Sequence, residues 1–162
     1  MTFLADEQAT ADFGARLADV LRPGDVVCLH GDLGAGKSAL ARAAIRSLAA
    51  DPALEVPSPT FTLVQVYDTR IGSVWHFDLY RLSDPEEAIE LGWEEALVSG
   101  IVLLEWPERL GTLLPTDHID VRLDIGAGGA GRTVTVSVPD TDDDLGARFA
   151  GFHEAGAASR RA

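Results

Sequence analysis

A chain of 162 residues, 46% hydrophobic and 24% charged, has one domain's length and enough apolar material for a core, which excludes wholesale disorder. Thirteen basic against 26 acidic residues leave a formal charge of −13 with no basic cluster beyond Arg160-Arg161, which argues against broad electrostatic binding of nucleic acid; any such link would run through a partner. Cys28 is the only cysteine, which excludes an intramolecular disulfide and a Cys-rich zinc site, and no stretch reads as a signal peptide or membrane span, so the expected setting is a reducing cytoplasm.

Asp6-Glu7-Gln8 opens a predicted helix to about Leu21, with Ala9, Phe13, Leu17 and Val20 spaced for one apolar face. Pro23-Gly24 ends it and introduces Val26-Val27-Cys28-Leu29, a short apolar run that reads as a buried strand. Gly31 to Ser38 then fits the phosphate-binding pattern G-x-x-x-x-G-K-[ST], followed by an Ala/Leu/Arg-rich helix to about Ala50. The order strand, glycine loop, helix is what such a loop needs physically. Gly34 and Gly36 allow consecutive N–H groups to point into one concavity, where the helix N-terminus adds partial positive charge. In that arrangement Lys37 reaches the β- and γ-phosphates and the Ser38 hydroxyl ligates Mg²⁺. Lys37 is the only lysine, beside twelve arginines, at the one position where a compact ammonium suits a phosphate.

After a break at Asp51-Pro52, the stiff Val56-Pro57-Ser58-Pro59-Thr60 segment leads into a predicted strand from Phe61 to Tyr67. Asp68 to Ser73 reads as a hairpin loop and Val74 to Tyr80 as the returning strand. Ser83-Asp84-Pro85 caps a short predicted helix ending at Gly92, and a second short helix covers Trp93 to Val98. Ile101 to Leu104 is a fully apolar strand ending in Glu105 and closed by Trp106-Pro107. Two more strands, Ile119 to Ile125 and Thr133 to Val138, flank the glycine-rich 126–131 loop, and a helix is expected from Leu145 to Ala155 with a loose end after it. The expected architecture is a three-layer α/β P-loop domain over residues 1–140, its sheet parallel near the loop strand and antiparallel through the hairpins, with 141–162 as a C-terminal extension.

Phosphoryl chemistry needs an acid at the carboxyl end of a strand near the loop. Glu105 is favoured as the Mg²⁺-linked or water-orienting acid because its strand is the more fully apolar; Asp78 is the second candidate. Thr60, after Pro59, is placed to sense a γ-phosphate. His76 reads as a strand histidine, Trp93 and Trp106 as core or interface aromatics, and Arg132 as a residue able to lie over a base or phosphate.

Asp6-Glu7-Gln8-Ala9-Thr10, Gly31 to Ser38, Ser58-Pro59-Thr60-Phe61-Thr62-Leu63-Val64, His76-Phe77-Asp78-Leu79-Tyr80-Arg81-Leu82 and Glu105-Trp106-Pro107-Glu108 together resemble the TsaE (YjeE) family, in order and at similar spacing from about Asp6 to Val138. The resemblance implies a small Mg²⁺-dependent ATPase that assists a threonylcarbamoyl-transferring complex of TsaB and TsaD type proteins in bacterial tRNA modification, contacting tRNA only through that complex. It also implies that Leu33, Gly34, Ala35, Gly36, Lys37 and Ser38 cradle the phosphates of ATP. In that scheme Ser38 and Glu105 hold Mg²⁺, Thr60 is the switch threonine, and Glu7 and Arg132 help bind the nucleotide. Ser38 stands where the family usually has Thr, which keeps the hydroxyl, and the chain beyond about Asp140 matches no family pattern. On the residues alone, a small-molecule P-loop kinase and a nucleotide-gated binding module stay open, separable by whether labelled phosphate from ATP ends free, on an acceptor, or is not released.

Overall fold

In the computed structural model, which describes residues 1–152, one seven-stranded sheet runs through the molecule in the order β1-β7-β6-β2-β5-β4-β3. The strands are β1 (Thr2–Leu4), β2 (Val26–His30), β3 (Val64–Thr69), β4 (Gly72–Asp78), β5 (Ile101–Glu105), β6 (Ile119–Ile125) and β7 (Arg132–Ser137). The four central strands β6, β2, β5 and β4 are mutually parallel, and the outer pairs β3/β4, β6/β7 and β1/β7 are antiparallel. The mixed sheet expected from the sequence is therefore the one observed. β5 is buried along its whole length and β2 up to its last residue, which is why both are written in continuous apolar residues.

Helices cover both faces. On one, α1 (Glu7–Val20) and α2 (Lys37–Ala49) pack on Val27, Leu29, Ile101 and Leu103; on the other, α3 (Glu87–Glu90), α4 (Trp93–Ser99) and the 3₁₀ segment Pro107–Leu113 pack on Val26, Cys28, Val102 and Leu104. Asp6 caps α1, its carboxylate accepting from Ala9 N–H at 2.8 Å. Gly14 sits where α1 crosses α2, and a Cβ there would lie 2.5 Å from Ala43 Cβ, so its missing side chain sets how closely the helices approach.

Three expectations shift. The strand expected from Phe61 begins at Val64, because Leu63 adopts a left-handed conformation (φ +67°) with its N–H bonded to the Pro59 carbonyl, closing a turn that leaves Phe61 83% exposed. The hairpin loop is shorter than Asp68 to Ser73, since pairing continues to Thr69↔Gly72. The helix expected from Pro85 is reduced to α3, with Asp84 to Glu86 in turn conformation. The extension is also joined to the domain as far as it is described: α5 (Asp143–Arg148) and the residues after it place Leu145, Phe149 and Phe152 in the α1/α2-side core. Arg148 there makes a two-pronged ion pair with Asp25, at 2.7 and 2.8 Å, and donates to the Val20 carbonyl. The rest of the helix expected to Ala155, and the loose end after it, lie outside the described residues. No helix among the described residues is long and apolar enough to cross a membrane.

Candidate active site

Open parallel sheets offer their sites at the carboxyl ends of the strands. Here β2, β5 and β4 lie side by side and end, respectively, in the glycine loop, Glu105 and Asp78; Asp78 and Glu105 are direct cross-strand partners. The loop takes left-handed backbone at Gly34 (φ +81°) and Gly36 (φ +105°), which an L side chain would strain. Gly36 is also the N-cap of α2 and provides no side-chain acceptor, so first-turn N–H groups of this 13-residue helix face the loop concavity.

A cleft of about 280 Å³ opens there, lined by loop and α2 residues together with Ser58, Thr60, Asp78, Tyr80, Glu105 and Trp106. Ser38 Oγ lies 3.0 and 3.1 Å from the two carboxylate oxygens of Glu105 and 3.4 Å from Ser58 Oγ. Ser58 in turn lies 3.2 Å from Thr60 Oγ1 and 3.4 Å from Asp78 Oδ2, while Asp78 Oδ1 accepts from Tyr80 N–H. Glu105 is 2% exposed and Asp78 6%. Two nearly buried carboxylates and three hydroxyls thus converge, a hard oxygen donor set of the kind Mg²⁺ takes. Lys37 is 6% exposed; its Nζ donates to the Gly31 carbonyl and sits 3.7 Å from the centroid of the Trp106 ring. Burial pulls its pKa below the ordinary lysine value, against the opposing pull of Glu105, Asp78, Glu108 and Asp32.

Lys37, Ser38, Thr60, Asp78 and Glu105, all singled out by the sequence, meet in this cleft with Leu33, Gly34 and Gly36. Ala35 is buried behind the loop. Arg132 does not line the cleft. From the start of β7 its guanidinium donates to the carbonyls of Ala35 (3.0 Å), Gly34 (3.1 Å), Gly131 (2.7 Å) and Gly129 (3.3 Å), bracing the phosphate loop from behind. Glu7 lies in the first turn of α1, on a neighbouring cleft of about 770 Å³ between α1 and α2 that shares Ala39 with the first. Two participants are not marked as such by the sequence. His76 Nε2 lies 2.8 Å from Glu105 Oε2, with both side chains buried, and Trp106, in left-handed backbone (φ +60°), walls the cleft against Lys37 and Tyr80. The available signal is alternation on β4, which puts His76 on the same sheet face as Asp78.

Residues 4–134 match the family model described as "Threonylcarbamoyl adenosine biosynthesis protein TsaE". Among curated proteins, the chain is similar to the tRNA threonylcarbamoyladenosine biosynthesis protein TsaE of Rickettsia felis, with 42% identity over 77% of this chain and 72% of that protein. The protein of the same name from a Nostoc species is 39% identical over 79% and 80%, and that of Treponema pallidum 35% over 80% and 94%. Among solved structures, YdiB of Bacillus subtilis superposes with a TM-score of 0.67 at 22% identity, covering 86% of this chain and 85% of that one, which shows the shared fold.

Proposed function

The chain belongs to the TsaE family, and from that premise we propose that it is a Mg²⁺-dependent ATPase acting in bacterial tRNA N6-threonylcarbamoyladenosine biosynthesis, where turnover of ATP resets a partner transferase complex of TsaB and TsaD type proteins. The observation that carries the reading is the contact of Ser38 with both oxygens of Glu105 beside an uncapped helix N-terminus. Ser38 and Glu105 would hold Mg²⁺, which when bound neutralises charge on the β- and γ-phosphate oxygens. The loop N–H groups and Lys37 bind and orient the polyphosphate, and Trp106 shields the Lys37 ammonium from water. Asp78, linked through Ser58 to Thr60, is the acid left to accept a hydrogen bond from the attacking water, and Thr60 senses whether a γ-phosphate is present. Arg132 acts on the nucleotide indirectly, by fixing the loop carbonyls, and the Glu7 cleft gives a nucleoside attached to the bound phosphates a place to lie.

The test has two tiers. In the first, Lys37→Ala lowers phosphate release from ATP by about a hundredfold or more. Asp78→Asn keeps nucleotide binding while losing hydrolysis, and Glu105→Gln raises the Mg²⁺ concentration required. Phosphate release unchanged in Lys37→Ala would remove the assignment. In the second, modified tRNA formed per partner complex is counted with wild-type chain, with Asp78→Asn, and with none added. Equal rounds with the hydrolysis-dead variant would show that turnover is not the resetting step.

A further inference from the structure

On the opposite face of β2 from the phosphate cleft, the β2/β6 register sets Cys28 beside Asp120, with His30 two residues further along β2 and His118 just ahead of β6. We propose that Cys28, His118 and Asp120, with His30 at the rim, form a binding site for a borderline-soft divalent transition-metal ion of the zinc class. One ligand atom from each of Cys28, His118 and Asp120 can be chosen so that all lie within 4.8 Å of one another. Ligand atoms around a tetrahedral zinc are about 3.3–3.8 Å apart, given bonds of 2.0–2.3 Å, so closing the site requires the ligand atoms to draw together by about 1–1.5 Å at most.

The hydrogen bonds around the cluster supply the second argument. His118 Nδ1 lies 2.6 Å from the Pro115 carbonyl, which commits that nitrogen as a donor and leaves Nε2 as a lone pair in the neutral ring. That lone pair faces Asp120 Oδ1 at 3.2 Å, and the same oxygen lies 2.6 Å from His30 Nε2. Lone pair against carboxylate is repulsive unless a cation stands between them, either a proton on Nε2 or a metal ion. A backbone carbonyl holding the outer nitrogen of an imidazole is also the usual support of a metal-bound histidine. Sulfur, nitrogen and oxygen donors together suit Zn²⁺ and its neighbours and not Mg²⁺, so this site is chemically distinct from the phosphate cleft. Burial, with the Asp120 and Glu108 carboxylates adding to it, pushes the Cys28 thiol well up, so the sulfur is inert until an ion displaces its proton. His30, His118 and Asp120 are all part-exposed, which gives an ion a way in, and His30 directly precedes Gly31, so an occupied site would stiffen the base of the phosphate loop.

Because the chain has a single cysteine, a thiolate-to-cobalt band reports on this site alone. The full chain, freed of metal and titrated with Co²⁺ without nucleotide, is expected to take up one ion, with a thiolate-to-cobalt charge-transfer band in the near ultraviolet and tetrahedral absorption in the visible, both reversed by Zn²⁺. Cys28→Ala, which keeps a small apolar group in the core, loses the charge-transfer band. His118→Ala and Asp120→Asn, at part-exposed positions that do not threaten the fold, weaken uptake about tenfold or more while the band survives at saturation. Absence of uptake at micromolar Co²⁺ would overturn the proposal and leave the cluster as a set of polar contacts without an ion. Uptake without a thiolate band would overturn it equally, by placing the ion elsewhere. Neither result bears on ATP hydrolysis.

Discussion

His76 shows how far one residue's role can depend on a distant register. Its neighbours in sequence belong to a family-like segment but give it no role of its own, yet on β4 it reaches the Glu105 carboxylate that also meets Ser38, while its own Nδ1 is buried without a hydrogen-bond partner. An unpaired buried nitrogen costs about 1–3 kcal/mol, so packing alone would favour an apolar residue there. On the proposed function, His76 is a positioning residue that would orient Glu105 toward Mg²⁺. His76→Leu is accordingly expected to raise the Mg²⁺ concentration for half-maximal ATP hydrolysis several-fold with little change in ATP affinity, and His76→Gln, which keeps a donor at similar reach, to recover part of the loss. A magnesium titration of both variants reads this, and coincident curves for Leu and wild type would reduce His76 to packing. By contrast Lys37, Ser38, Asp78 and Glu105 are legible in the sequence alone, because a phosphate loop is written in consecutive residues and strand-end acids follow apolar runs. His76 and Trp106 are not, since one depends on strand register and the other on a left-handed backbone after β5.

At the scale of elements, the same contrast between local and non-local information separates what is readable from what is not. α1, α2, β2 and β5 carry their own caps, breakers and apolar runs, and their observed bounds fall within a residue or two of expectation. β1 is three residues long and exists because Thr2 to Leu4 pair with Val134 to Arg132, so no periodicity within it could announce it. The α1/α2 contact is likewise invisible in either helix alone. It rests on Gly14, a residue that weakens an isolated helix and is retained here for close approach to Ala43. Gly14→Ala should therefore destabilise by about 1–3 kcal/mol, in spite of alanine's better helix propensity, and lower the melting temperature by several degrees. A melting curve at or above wild type would mean the helices separate without penalty.

For the whole molecule, the charge of −13 sets what it can meet directly. A polyanion approaching this surface is repelled, so free tRNA is expected to show no salt-sensitive micromolar binding to the isolated chain, as a titration at low ionic strength would establish. Such binding, if found, would contradict the view that tRNA is reached only through a partner.

The ion pair between Arg148 and Asp25 has a consequence for where this protein can be cut. The match to the family model ends at residue 134, yet Asp25, on the turn that launches the loop-bearing strand β2, finds its counter-ion fourteen residues past that limit, with both side chains about nine-tenths buried. A chain trimmed to that region would expose the Phe13 and Leu17 face of α1 and leave Asp25 without Arg148, a pair whose breaking in the intact protein, where the carboxylate stays buried, costs about 3–5 kcal/mol. The end of the family match and the end of the packed core are thus different places along this polypeptide. Fragment 1–140 should melt well below the full chain, and Arg148→Ala in the intact protein should reproduce a substantial share of that loss. The stretch beyond the family match is thus a clasp, holding the turn that leads into β2 against the end of α1.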